Sequence, residues 1–119
     1  MEPFEQVYEQ LRMILKQFEP SLVKKMDTAS GYSLDTAFSQ KWGKELFFGS
    51  TQIKKNYVSF YLMPVYMFPD LLDGISLELR KHMQGKSCFN FKKVEPVLFA
   101  ELDQLAKRSI TRVKLEKLL

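Results

Sequence analysis

The fold is decided by residues 45–63, which read ELFFGSTQI, then KKN, then YVSFYLM. Both flanking runs are rich in aromatic residues, which is typical of strands, and Tyr57–Met63 shows the clearest strand pattern. The connection between them, Lys54–Asn56, is only a few residues long. Because a parallel return needs a crossover of about a dozen residues or more, Glu45–Ile53 and Tyr57–Met63 are predicted to pair antiparallel.

Strand patterns continue on both sides of this hairpin. Upstream, larger residues alternate with smaller or polar ones from Gly31 onward, at Tyr32, Leu34, Thr36 and Phe38. A turn at Gln40–Lys44 is predicted to join this strand to the hairpin. Downstream, Ser87–Phe91 alternates again, which places Cys88 and Asn90 on one side and two phenylalanines on the other. We therefore expect an antiparallel sheet of about four to five strands.

Helices are predicted at both ends of the chain. Near the start, apolar side chains recur every three or four residues, at Phe4, Tyr8, Leu11, Leu15 and Phe18. A broader apolar stripe follows Glu95-Pro96 and predicts a long closing helix. Between them, Asp70–Gly74 reads as one helical turn, and Ser76–Met83 as a second short helix with Ser76 as its N-cap. We expect residues 1–119 to form a single α+β domain in which the helices pack on the sheet.

Composition excludes several classes of protein. With 119 residues, 45% hydrophobic and 27% charged, the chain is typical of a globular domain and is not expected to be disordered. One cysteine and one histidine exclude an intrachain disulfide, a cysteine-based zinc site and a paired-histidine metal site. The start of the chain is acidic, and no apolar stretch reaches about 18 residues. The sequence thus predicts a cytoplasmic protein without a membrane span.

Catalytic motifs are incomplete. Gly85-Lys86-Ser87 resembles the end of a phosphate-binding loop, but Arg80 occupies the position of the first glycine, and a helix precedes the motif where a strand is required. Cys88 and His82 could act as a nucleophile and base, although a cysteine within an aromatic strand is more often a small buried residue. We therefore predict a protein that is not an enzyme, with catalysis kept as an alternative.

The candidate binding residues lie on one face of the predicted sheet. Tyr57, Ser59 and Tyr61 share a face of their strand. Cys88 and Asn90 are expected on the same surface, with Lys86 at its margin. Hydroxyl groups and a lysine at the edge of an aromatic sheet suggest a site for a small anionic molecule or a protein segment. The alternative is an ordinary solvated face, or one that the long helix covers.

The positive charge does not point to nucleic acid. The net charge is +4. Residues 104–119 contain five basic residues against one acidic residue, so 5 − 1 = +4 and the rest of the chain sums to zero. Positive charge at a helix C-terminus complements the helix dipole, and a nucleic-acid partner is therefore not expected.

A set of segments is distinctive when taken together: residues 32–36, 47–49, 54–66, 69–72, 75–76 and above all 83–91, which read MQGKSCFNF. These segments resemble the YdhG-like family, a bacterial domain of unknown function (number 1801). It implies an antiparallel sheet with helices packed on it from both ends of the chain, and it brings no catalytic residues. Some members are described as frataxin-like iron chaperones, which implies iron as a possible cargo. The carboxylates of Glu5 and Glu9, on one face of the first helix, are its candidate ligands.

Overall fold

A computed structural model of the protein describes residues 3–37 and 43–117. Along the chain, one long helix precedes the strands and another follows them. The helices are α1 (Pro3–Lys16), α2 (Met63–Met67), α3 (Leu77–Arg80) and α4 (Pro96–Leu115). The strands are β1 (Val23–Asp27), β2 (Gly31–Asp35), β3 (Phe47–Ile53), β4 (Val58–Leu62), β5 (Met83–Gln84) and β6 (Cys88–Phe91). Single turns of 3-10 helix occupy Glu19–Ser21 and Pro69–Leu72. The predicted α+β class is confirmed.

The described residues form one sheet in the order β1-β2-β3-β4-β6-β5, and every neighbouring pair is antiparallel. The predicted pairing of β3 with β4 is confirmed. The sheet has six strands where four to five were expected, because neither outermost strand shows the alternation of apolar and polar residues that predicts a strand. Nearly all of β1 is exposed, so it has no apolar alternation, and β5 is only two residues long.

The core lies between the helices and one face of the sheet. Tyr32, Phe60 and Phe89 stand in one register row on β2, β4 and β6, and all three are fully buried. From the helical side, α1 packs against β3 and β4, and α4 lies beside α1. The ring of Phe99 on α4 meets Phe91 edge-on, with centroids 4.9 Å apart. Both long helices therefore cover the same face of the sheet, where the large aromatic side chains of the strands are buried.

The opposite face of the sheet is polar. Side chains alternate between faces along a strand, so the rows next to the core rows point away from the helices. One such row runs Ser33, Ser50, Tyr61, Cys88 and Gln84 across five strands. The neighbouring row is Gln52, Ser59 and Asn90. We call these eight residues the polar face; α4 does not cover it, because α4 packs on the Phe91 side.

Several local boundaries differ from the predictions. The helix predicted over Ser76–Met83 ends at Arg80, and Met83 belongs to β5. The Ser76 hydroxyl accepts the Leu79 amide, so the predicted N-cap is confirmed. The strand predicted to end at Met63 ends at Leu62, where α2 begins. Phe38 and residues 40–42 of the predicted turn lie outside the described residues.

A buried tyrosine holds a carboxylate near the end of α1. The Tyr32 hydroxyl donates a hydrogen bond to Glu19, and this bond lowers the pKa of the Glu19 carboxyl, with Lys16 and Lys24 lowering it further. A carboxylate whose pKa is lower in the folded state stabilises the fold at neutral pH. That contribution is lost as the pH falls through the folded-state pKa.

The pH dependence of stability tests this contact. Tyr32→Phe should lower the free energy of unfolding at pH 7, and its difference from the parent protein should shrink as the pH falls below about 4. Tyr8→Phe is the matched control, because the Tyr8 hydroxyl donates to the backbone oxygen of Thr28, which does not titrate. Urea unfolding at several pH values measures both differences. A Tyr32→Phe difference that stays constant with pH would contradict this account.

Candidate functional site

A concavity opens where the polar face meets α2 and the turn between β5 and β6. It measures about 440 Å³ and is lined by Tyr57, Tyr61, Tyr66 and residues 84–88. We call it the tyrosine concavity. Tyr61 comes from the middle of the sheet, Tyr66 from α2, and Lys86 from the turn. Gly85 has a φ of +75°, which favours glycine, and this tight turn brings Lys86 next to the strand that follows.

Four side chains are linked across the strands beneath this concavity. Tyr61 pairs with Cys88, and Cys88 with Gln84, in the register of the sheet. The Cys88 thiol donates to Asn90 Oδ1 at 3.3 Å, and Asn90 Nδ2 donates to Gln84 Oε1 at 2.6 Å. Because Gln84 Oε1 accepts this bond, its Nε2 remains a donor for a ligand. The arrangement fixes the side chains in one orientation.

Two groups here have raised pKa values. The hydrogen bond with Cys88 raises the pKa of the Tyr61 hydroxyl, and electrostatic interaction with Cys88 and burial raise it further. Burial raises the pKa of the Cys88 thiol, although the hydrogen bond from Tyr61 opposes the effect. Both groups are therefore neutral at pH 7. A protonated thiol is a weak nucleophile, so this pair is not suited to attacking a ligand.

Lys86 supplies the positive charge of the tyrosine concavity. Its side chain is exposed, and its ammonium lies 6.0 Å from the centroid of the Tyr66 ring, which is also exposed. Among the described residues that line this concavity, none carries a carboxylate. The concavity therefore combines three phenol groups, an amide and one cation.

The structure brings four of the six predicted binding residues to the tyrosine concavity, namely Tyr57, Tyr61, Lys86 and Cys88. Asn90 lines a neighbouring concavity that shares Tyr57 with it. Ser59 belongs to the polar face but is only 1% exposed, and its hydroxyl donates to the Gln52 carbonyl. Its side chain is therefore not accessible to a ligand.

Two residues that the sequence did not single out complete the site, and His82, named above as a possible base, lies nearby. Tyr66 lies on α2, a short helix that the sequence did not predict because prolines in that region disfavour a helix. Gln84 lies on β5, which at two residues is too short to predict. His82 lies at the other end of β5, where its Nδ1 is 2.8 Å from the Asn90 carbonyl and its Nε2 is 3.0 Å from Glu95. The ring also stacks on Phe91, with centroids 4.4 Å apart. These contacts hold His82 toward Glu95 and the start of α4.

The acidic residues of α1 line a separate cleft. Glu5 and Glu9 lie there with Arg12 and Asp27, in a cleft of about 770 Å³. Arg12 binds both oxygens of Asp27 at 3.0 Å and reaches Glu9 at 3.3 Å. Two of the three carboxylates are thus already paired with a guanidinium. Within residues 3–37 and 43–117, no group of three or more His, Cys, Asp or Glu is arranged to hold a metal ion.

Comparison with models of known protein families, with curated proteins and with solved structures finds no match for this chain. The resemblance to the YdhG-like family therefore stays a prediction. None of the helices in the described part of the chain has the length and apolar character needed to cross a bilayer.

Proposed function

We propose that this protein is a non-enzymatic binding domain of the cytoplasm whose ligand is a small molecule with a flat apolar part and an anionic group. The observation that carries the proposal is the tyrosine concavity, where three tyrosines and Lys86 surround an opening without a lining carboxylate. Tyrosine rings offer flat apolar surface with a polar end, and the lysine offers a charge for the anion.

The neutral state of Tyr61 and Cys88 supports binding over catalysis. Both pKa values are raised, so neither group supplies a base or a thiolate at pH 7. His82 is engaged with Asn90 and Glu95, whereas the Cys88 thiol donates to Asn90 Oδ1. These separate contacts do not form a nucleophile–base pair.

The placement of charge supports a small ligand over nucleic acid. The basic residues of the last helix belong to α4, which packs on the opposite face of the sheet from the tyrosine concavity. Single-stranded nucleic acid requires a positively charged groove beside its stacking aromatic residues. Lys86 alone provides the charge among the residues that line this concavity in the described chain.

Lys86 variants test the proposal, with biphenyl monocarboxylate as the probe and titration calorimetry as the measurement. We expect saturable binding that weakens about fivefold in Lys86→Ala, since one exposed ion pair is worth at most about 1 kcal/mol. Lys86→Arg should keep most of the affinity. Lys114→Ala removes the same charge from an exposed position on α4 and should bind as the parent does.

The proposal also predicts that the tyrosines contribute. The double variant Tyr61→Ala with Lys86→Ala should bind more weakly than Lys86→Ala alone, because it loses ring contact as well as charge. If the double variant bound the probe as tightly as the parent protein, the assignment of the site would be wrong. Absence of any saturable binding by the parent protein would contradict the ligand chemistry.

A further inference from the structure

A second concavity adjoins the first at Tyr57. It measures about 540 Å³ and is lined by Tyr57, His82, Asn90, Lys92, Lys93 and Glu95. We call it the lysine concavity. Tyr57 lines both concavities, which places them next to each other.

The lysine concavity is also positively charged. Lys92 and Lys93 follow directly after β6, and both are exposed. Glu95 is the one carboxylate among the described residues that line the two concavities, and its Oε2 lies 3.0 Å from His82 Nε2. Two lysines against one carboxylate leave an excess of positive charge for a ligand at this concavity.

A fixed side chain lies between the two ends. Asn90 lines the lysine concavity, while its amide bonds to Cys88 and Gln84, which line the tyrosine concavity. Tyr57 and Tyr61 are four residues apart on an extended chain, which corresponds to about 13 Å. Lys86 comes before β6 and Lys92 directly after it, so the two cationic positions lie toward opposite ends of this surface, and the span between the two tyrosines is about as long as a molecule of two linked rings.

We propose that the ligand is an elongated molecule with an anionic group at each end. One anion lies at Lys86, the flat middle lies along Tyr61 and Tyr57, and the second anion lies at Lys92 and Lys93. This inference rests on the proposed function, because it extends the ligand of the tyrosine concavity into the lysine concavity.

Two probes that differ by one charge test the inference. Biphenyl dicarboxylate, with a carboxylate at each end, should bind the parent protein about fivefold tighter than biphenyl monocarboxylate. In the double variant Lys92→Ala with Lys93→Ala, that advantage should disappear while the affinity for the monocarboxylate stays unchanged. The control is the double variant Lys114→Ala with Lys117→Ala, which removes the same charge at and just beyond the C-terminal end of α4. It should still bind the dicarboxylate about fivefold tighter than the monocarboxylate.

The outcomes separate the two proposals. If the monocarboxylate binds through Lys86 and the dicarboxylate binds no tighter, the second anionic position is wrong and the proposed function stands. If the advantage survives in the Lys92→Ala, Lys93→Ala variant, the lysine concavity is not where the second anion lies, and the inference is overturned. If neither probe binds the parent protein, both proposals are wrong.

Discussion

Phe89→Ala is expected to lower the free energy of unfolding by about 3–5 kcal/mol, the usual cost of removing a fully buried phenylalanine. Phe89 lies on β6, opposite Phe60 on one side and Met83 on the other. The helical layer lies on this face, so truncation leaves a cavity in the core. Chemical denaturation with equal m values for variant and parent measures the change.

Asn90→Ala is the matched control for Phe89→Ala. It changes the next residue of the same strand, whose side chain points to the polar face and is partly exposed. It removes bonds to Cys88 and Gln84, so we expect a loss of about 1 kcal/mol. If Asn90→Ala lowered the free energy of unfolding more than Phe89→Ala, Asn90 and not Phe89 would face the core, and the assignment of the two faces would be wrong. A register slip of one residue exchanges the two faces in this way.

Gly49→Ala is expected to destabilise the protein by about 1–3 kcal/mol through overpacking. A Cβ at this position would lie 2.8 Å from the Tyr61 carbonyl oxygen and 3.1 Å from Leu15 Cδ2. The first contact is with backbone, so β3 and β4 must shift, and the second is with the helix that covers them. Glycine is therefore required where α1 crosses the sheet.

Gly31→Ala is the control for Gly49→Ala. The closest atom to its added Cβ is the sulfur of Met26 at 2.7 Å, and that flexible, exposed side chain can move away. We expect the smaller loss for Gly31→Ala in the same denaturation experiment. A neutral or stabilising Gly49→Ala would mean that α1 does not pack this closely on β3.

The main layers of the fold could be predicted because their patterns are local. The spacing from Tyr8 to Leu15 identifies α1, and the short connection after Ile53 fixes the pairing of β3 with β4. The outer strands could not be predicted, because β1 and β5 exist through pairing with their neighbours and not through a pattern of their own. Lys24–Met26, for example, offers no apolar alternation.

The candidate site was predicted in part for the same reason. Alternation alone places Tyr61 on one face of β4 and Cys88 on one face of β6, and the register then sets them opposite each other. Gln84 reaches Asn90 only because β5 pairs with β6, which is a tertiary contact. Ser59 was expected to contact a ligand, but it is buried and its hydroxyl donates to the Gln52 carbonyl.

Mapping the probe by amide chemical shifts tests the central claim most directly, because the cleft beside α1 is larger than the tyrosine concavity. Biphenyl monocarboxylate should shift the amides of Tyr57, Tyr61 and residues 84–90, and it should leave those of α1 and α4 unchanged. Shifts concentrated at Glu5, Glu9 and residues 27–29, with none on the polar face, would contradict the account.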